Sequence, residues 1–281
     1  VAAPWERVPS KILVVLPAYN EEENLGDLLR RIDQTMYERG QDYEVIVVDD
    51  GSKDRTGAIA AEYAAYMPVR YHLHTVNQGL GATIRDGLEI AVERARERDI
   101  IVALDADNSH DPGLIHSMVR RIHEGNDVVI ASRYQRGSYI RGVPFHRQLL
   151  SLGARVLFQL AFPVSGVRDY TCGYRAYRPA VLREAYRHFG SEFVSEAGFQ
   201  CMVDILLKLR AKEAIFCEEP MVLRYDLKGG VSKMKVAKTI FATLKLLMQR
   251  RLSQTWSQPT VTEESRRTNL RSPRLPNREV A

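Results

Sequence analysis

Short apolar runs alternate along the first half of the chain with longer segments in which apolar positions recur at helical spacing. Lys11 to Leu16, Tyr43 to Val48, Val69 to Leu73, Asp99 to Leu104 and Asp127 to Ala131 are short and rich in Val and Ile, which predicts β-strands. Between them, Glu22 to Met36, Arg55 to Tyr66, Leu80 to Arg96 and Pro112 to His123 carry the period of amphipathic helices. Alternation of this kind predicts an α/β fold with a mostly parallel central sheet flanked by helices. Beyond Ala131 the pattern changes to basic loops, a helix around Gln148 to Phe162, a turn at Asp169-Tyr170-Thr171-Cys172-Gly173, a helix from Phe199 to Leu209 and an extended stretch from Ala214 to Leu223. This half is expected to complete the same domain and form its acceptor side. The expected organisation is an N-terminal arm at 1–10, one domain at 11–234, a basic amphipathic helix at 235–251 and a flexible tail at 252–281.

A length of 281 residues with 45% apolar content supports a sizeable core. Cys172, Cys201 and Cys217 are too few and scattered for a disulfide framework or a Cys-ligated zinc site, and fit a reducing cytoplasm. A net charge of +5 attracts nucleic acid, anionic membrane or phosphorylated substrate through the same Coulomb force, so it does not choose among them. No run of about 18 apolar residues is present, so no transmembrane helix is expected. The first residues lack the basic start and apolar core of a signal peptide. From Lys235 to Arg251, Ile240, Phe241, Leu244, Leu247 and Met248 share one face, with Lys238, Lys245, Arg250 and Arg251 around it. Such a helix either packs on its own domain or lies on a membrane surface.

Polar motifs fall where the predicted strands stop, and ligands of open α/β sheets bind beyond those carboxyl ends. Pro17-Ala18-Tyr19-Asn20-Glu21 follows the first strand, Asp49-Asp50-Gly51-Ser52 the second, and Asp105-Ala106-Asp107 the fourth. Two acids at i and i+2 point the same way on extended backbone, and their hard oxygens suit Mg²⁺ or Mn²⁺ carried on a diphosphate. A strand end followed by a polar turn accounts for the same residues without chemistry. Asp54 is placed to cap the next helix, which leaves Asp50 for a base or ribose edge. Gly79-Leu80-Gly81 lacks the P-loop lysine and reads as tight packing at a helix start, and Gly87 marks a close approach of two elements. Arg133, Arg136, Arg141 and Arg147 are either solvated loop charges or fixed cations for phosphate, to which arginine makes two-pronged contacts. Arg224, Lys228 and Lys233 around Gly229-Gly230 suggest a second cationic group on a closing loop. No zinc-protease or serine-hydrolase signature occurs.

Taken in order, Pro17-Ala18-Tyr19-Asn20-Glu21, Asp49-Asp50-Gly51-Ser52, Asp105-Ala106-Asp107, Ser132-Arg133-Tyr134 and Asp169-x-x-Cys172-Gly173-Tyr174-Arg175 resemble a family 2 glycosyltransferase of the GT-A fold. Within that family the pattern is similar to dolichyl-phosphate mannose synthases and polyprenyl-phosphate hexosyltransferases, over roughly residues 10 to 250. The resemblance implies inverting, metal-dependent transfer of a hexose, commonly mannose from GDP-mannose, to a polyprenyl or dolichyl phosphate. It assigns Pro17, Tyr19, Glu21, Asp50 and Asp105 to the nucleotide, Asp105 and Asp107 to Mg²⁺ or Mn²⁺, and Ser109 a weaker ligand position. Arg133, Arg147 and Ser151 match phosphate-binding positions, and Arg224 and Lys233 resemble closing-loop cations of an R-x-x-G-x-S-K pattern, set about three residues further apart. Asp107, Arg133 and Asp169 form the expected catalytic group, with Asp169 near the acceptor. The expected location is the cytoplasmic membrane face, with Lys235 to Arg251 as the contact. Alternatives are another donor such as UDP-glucose, or a soluble hydroxyl acceptor that requires a general base. A non-enzymatic basic module for membrane or nucleic acid is the third reading; no nucleic-acid partner is expected, because the Lys and Arg form no single stripe.

Overall fold

A computed structural model describes residues 10–227 and 229, without the side chains of 145–147 and 149–150. The expected helix at 235–251, the tail at 252–281, Lys228 and Lys233 lie outside the described residues. Strands β1 (Ile12–Ala18), β2 (Tyr43–Asp49), β3 (Val69–Leu73), β4 (Ile100–Ala103), β5 (Val128–Ser132), β6 (Tyr139–Arg141), β7 (Arg175–Tyr177), β8 (Phe216–Pro220) and β9 (Val222–Arg224) alternate with helices. The helices are α1 (Leu25–Tyr37), α2 (Thr56–Ala64), α3 (Leu80–Arg94), α4 (Ile115–His123), α5 (Phe145–Ala161), α6 (Pro179–Phe189) and α7 (Cys201–Ala211).

One seven-stranded sheet has the order β3-β2-β1-β4-β7-β5-β8, and a small parallel pair, β6-β9, sits apart from it. Every residue of β1 is buried, because helices cover both faces of a parallel sheet and a central strand then needs an unbroken apolar run. Helix α1 buries Leu25, Leu28, Leu29, Ile32 and Met36, the stripe that a 3.6-residue period puts on one side. Gly87 sits in α3 where a Cβ would collide with Val15 of β1 and lie 3.2 Å from Val48 of β2, so its absence lets the helix settle on the sheet.

The five predicted strands of the first half are all present; four of them run parallel in the order β3-β2-β1-β4, and β5 lies beyond β7, parallel to β8. Three elements had no expectation: β6, which falls in the stretch read as basic loop, β7, inserted antiparallel between β4 and β5, and α6. β7 is three residues long and carries Arg175, fully buried, whose guanidinium donates to the carbonyls of Tyr170, Cys172 and Met202 at 2.8–2.9 Å. An internal arginine bound by three carbonyls reads in sequence as a surface residue, so neither length nor hydropathy marks the strand.

Candidate active site

Parallel register brings the strand ends to one edge of the sheet. Ala18 pairs with Asp49 and Val15 with Ala103, so the segments after β1, β2 and β4 leave the sheet side by side. The first two are interlocked. Asn20, at a positive φ of 52°, donates its backbone N–H to Ser52 Oγ at 2.8 Å and accepts from the Lys53 N–H at 2.8 Å. Glu21 is buried, donates its N–H to Thr56 Oγ1 at 2.7 Å and accepts from the Asn24 amide at 2.7 Å. Pro17 and Asp50 are buried and Tyr19 half-buried around this junction. The Asp50 carboxylate accepts from the backbone N–H groups of Gln78 (2.8 Å) and Gly79 (2.9 Å) and contacts His74 Nδ1 at 2.8 Å. It therefore organises the loop before α3, in which Gly79 has a φ of 91° and Gly81 donates to the Ala197 carbonyl at 2.9 Å. A Cβ at Gly81 would collide with the Glu196 carbonyl, so the glycines serve packing, as their spacing suggests.

Asp105 and Asp107 are partly exposed on either side of buried Ala106. Asp107 Oδ1 accepts from Ser109 N–H (3.1 Å) and Ser109 Oγ (2.6 Å), a local turn that fixes the carboxylate and commits the buried Ser109 hydroxyl to it. The next residues are tied down: Asn108 Oδ1 accepts from Arg31 at 2.6 Å, the Tyr174 hydroxyl donates to the Asp111 carbonyl at 3.0 Å, and His110 is buried beside the Tyr174 ring at 5.1 Å. Gly173, from the turn before β7, comes so near that a Cβ would lie 3.1 Å from Asp105 Oδ1. Two carboxylates of hard oxygen, held one residue apart on an anchored loop, fit a divalent cation of the Mg²⁺ or Mn²⁺ class.

Across from them, Arg133 follows β5 and grips Asp169 in a two-pronged bridge, Nε to Oδ2 at 2.8 Å and a terminal nitrogen to Oδ1 at 2.7 Å. Asp169 is fully buried and also accepts from the N–H groups of Arg133 (3.1 Å) and Cys172 (3.2 Å). Its own N–H and that of Arg168 donate to Glu218 of β8, each at 2.6 Å. Burial alone would raise the Asp169 carboxyl, but the Arg133 charge and these hydrogen bonds override it and hold the group below the ordinary carboxylate range. Burial and the neighbouring Asp169 charge push the Cys172 thiol up to about 12, so it stays protonated and unreactive. Ser151 of α5 reaches the Tyr134 hydroxyl at 2.6 Å, and Arg155 lies 4.8 Å from the Tyr134 ring centre. Arg133, Ser151 and Asp169 are thus brought together; Arg147 falls one turn before Ser151, and its side chain is outside those described. Sequence reasoning missed Thr171, which accepts from Arg133 at 2.7 Å, and Arg155, since neither position has a distinctive spacing.

Arg224 meets the acidic loop. Its N–H donates to the Ser109 carbonyl at 2.9 Å, which seats β9 against the acidic loop, and its guanidinium makes a two-pronged bridge to Asp226 at 2.9 and 3.0 Å. Gly229 returns to the nucleotide side, exchanging hydrogen bonds with Asn24 at 2.8 and 3.3 Å.

Residues 13–185 match the family described as Glycosyl transferase family 2. The chain is 34% identical over 236 residues to a dolichol-phosphate mannosyltransferase of Pyrococcus furiosus, covering 84% of this chain and 62% of that protein, so it spans less than two thirds of that relative. It is 33% identical to a polyprenol monophosphomannose synthase of Mycolicibacterium smegmatis, covering 81% of this chain and 82% of the relative. In architecture it is similar to glucosyl-3-phosphoglycerate synthase of Mycobacterium tuberculosis, crystallised with Mn²⁺, uridine diphosphate and glucosyl-3-phosphoglycerate, with a TM-score of 0.61, 22% identity and coverage of 85% and 80% of the two chains. That likeness shows a shared fold.

Proposed function

Because the chain belongs to glycosyl transferase family 2 and has the GT-A fold, we propose that this glycosyltransferase moves mannose, with inversion at the anomeric carbon, from GDP-mannose to a polyprenyl phosphate. The observation that carries the acceptor class is the position of Arg133. Its guanidinium, held by Asp169 and one fifth exposed, neighbours Tyr134, which is tied to α5 through Ser151. That helix turns Leu152, Val156, Leu157 and Leu160 to the outside, with Leu160 80% exposed, while Phe158 packs inward on Tyr170. An anion-binding arginine beside an exposed apolar helix suits a ligand with a phosphate head and a hydrocarbon body. The two relatives of the preceding section, named for dolichol-phosphate and polyprenol acceptors, support the same class.

In this reading Pro17, Tyr19 and Glu21 line the nucleoside side, and Asp50 shapes that side through the loop it organises. Asp105 and Asp107 would hold a divalent cation, which when bound supplies charge neutralisation for the departing diphosphate. A phosphate monoester, with a second pKa near 6, is largely dianionic at neutral pH and attacks without losing a proton to a base. Arg133 therefore positions and partly neutralises the nucleophile, and Asp169 aims Arg133. A buried carboxylate with its oxygens committed to a guanidinium is a poor proton acceptor, which favours a phosphate acceptor over a hydroxyl one. The exposed apolar face of α5 supports a seat on the membrane surface in this reading; among the described residues no helix is long and apolar enough to cross a membrane.

Incubating the protein with labelled GDP-mannose or UDP-glucose, Mg²⁺ or Mn²⁺ and polyprenyl phosphate tests the reading. Label from GDP-mannose should become extractable into organic solvent. Asp107→Ala should abolish this while leaving the circular dichroism spectrum and melting temperature in place. Label found only in water-soluble product, or no product from either donor, overturns it.

A further inference from the structure

The geometry points to a second cation site, of zinc type and distinct from the acidic loop, made by His72, His74 and Asp86. His72 lies in β3 and His74 one residue past its end, so the two rings share one side of extended backbone, with Leu73 exposed on the other. Asp86 comes from the second turn of α3. One ligand atom from each residue lies within 4.8 Å of the other two, and the rings meet edge to face with centres 5.6 Å apart.

The hydrogen bonding of His74 makes this more than proximity. Its Nδ1 meets Asp50 Oδ1 at 2.8 Å and its Nε2 meets Asp86 Oδ2 at 2.9 Å, with the imidazole buried. Each ring nitrogen faces a carboxylate oxygen, and both contacts are satisfied either by a ring protonated on both nitrogens or by a ring that gives Nδ1–H to Asp50 and turns its Nε2 lone pair to a cation shared with Asp86. Metal-bound histidines commonly give their other N–H to a carboxylate that fixes ring and tautomer, and Asp50, itself held by two backbone N–H groups, stands in that place. Arg85 engages the other Asp86 oxygen, Oδ1, at 2.8 Å, which leaves Oδ2 facing His74.

Two nitrogens and one oxygen are the donors of a borderline ion such as Zn²⁺, with water as the fourth ligand, whereas the oxygen-only acidic loop suits hard ions. Neighbouring ligands on a tetrahedral zinc stand about 3.3 Å apart, given zinc–nitrogen bonds of about 2.0–2.1 Å. Half-buried His72 closes the remaining distance by a side-chain rotation, and Asp86 gives way by a few tenths of an ångström. Such an ion would staple the end of β3 to α3 across the loop of residues 74–79, the loop that carries the amides bound to Asp50.

Calorimetric titration of the tag-free full-length protein with ZnCl₂, in millimolar Mg²⁺ to occupy the acidic loop, tests the site. One equivalent of zinc should bind and raise the melting temperature. His72→Ala and Asp86→Asn should each weaken zinc by about tenfold or more. His72→Ala should melt like the parent without zinc, because His72 lies outside the core. Co²⁺ in place of zinc should give the visible absorption of a four-coordinate nitrogen site, lost in His72→Ala. Absence of zinc uptake, or uptake unchanged by His72→Ala, overturns the site and assigns His74 a bridging proton instead. Either result is read independently of donor and acceptor identity.

Discussion

Asp169 shows how burial and partners together decide what a carboxylate does. Its oxygens face Arg133 and backbone N–H groups, so its folded form is kept charged below the ordinary carboxylate range. A depressed folded pKa means that the unfolded chain binds the extra proton first. The stabilising contribution is therefore complete above the unfolded value of about 3.9 and is lost as pH falls through the lower folded value. Denaturant melts at stepped pH should show the wild type losing stability below about pH 4, with a shallower acid limb for Asp169→Asn. Leaving Arg133 without its counter-charge should cost that variant about 3 kcal/mol at neutral pH. In transfer kinetics Asp169→Asn should raise KM for the phosphate acceptor about tenfold with kcat largely kept and the pH–rate profile unmoved. Collapse of kcat with a shifted profile would instead make Asp169 a proton acceptor. The pair was suggested by sequence only as two candidate residues 36 positions apart.

At the level of elements, the seating of α3 on β1 and β2 sets the nucleotide side. Gly87 lets the helix approach until Val15 and Val48 fill the place of its side chain. Gly87→Val should force the helix outward and destabilise the fold by about 1–3 kcal/mol, read as a lower denaturant midpoint with an unchanged slope. If the variant is as stable as the parent, the contact is looser than the geometry indicates. Helical and strand periods across the first half were legible because β1, β2, β4 and β5 bury nearly full runs and α1 and α4 bury one stripe, while β3 at the sheet edge has no fully buried residue. β7 was not, since three residues with a buried arginine carry no period, and its antiparallel place between β4 and β5 depends on partners far along the chain.

For the whole molecule, the sheet collects three strand ends from residues 18, 49 and 103 at one edge and sets the Arg133–Asp169 bridge beyond β5 of the same sheet. Beside the bridge, α5 offers an apolar outer face of Leu152, Val156, Leu157 and Leu160. Val156→Asp combined with Leu160→Asp should reduce co-sedimentation with anionic lipid vesicles severalfold while leaving the melting temperature within about 1 °C, since exposed positions contribute little to folding. Equal vesicle binding would place the membrane contact elsewhere. The sequence by itself determined the α/β order, the strand-end placement of Asp50, Asp105 and Asp107, and the family, because periodicity and ordered motifs are local properties of a chain. Tertiary structure alone decided that Asp169 is committed to Arg133, that Arg224 is committed to Asp226, and that His72 and His74 meet Asp86, because each depends on which distant segments the sheet register and helix packing bring within a few ångströms.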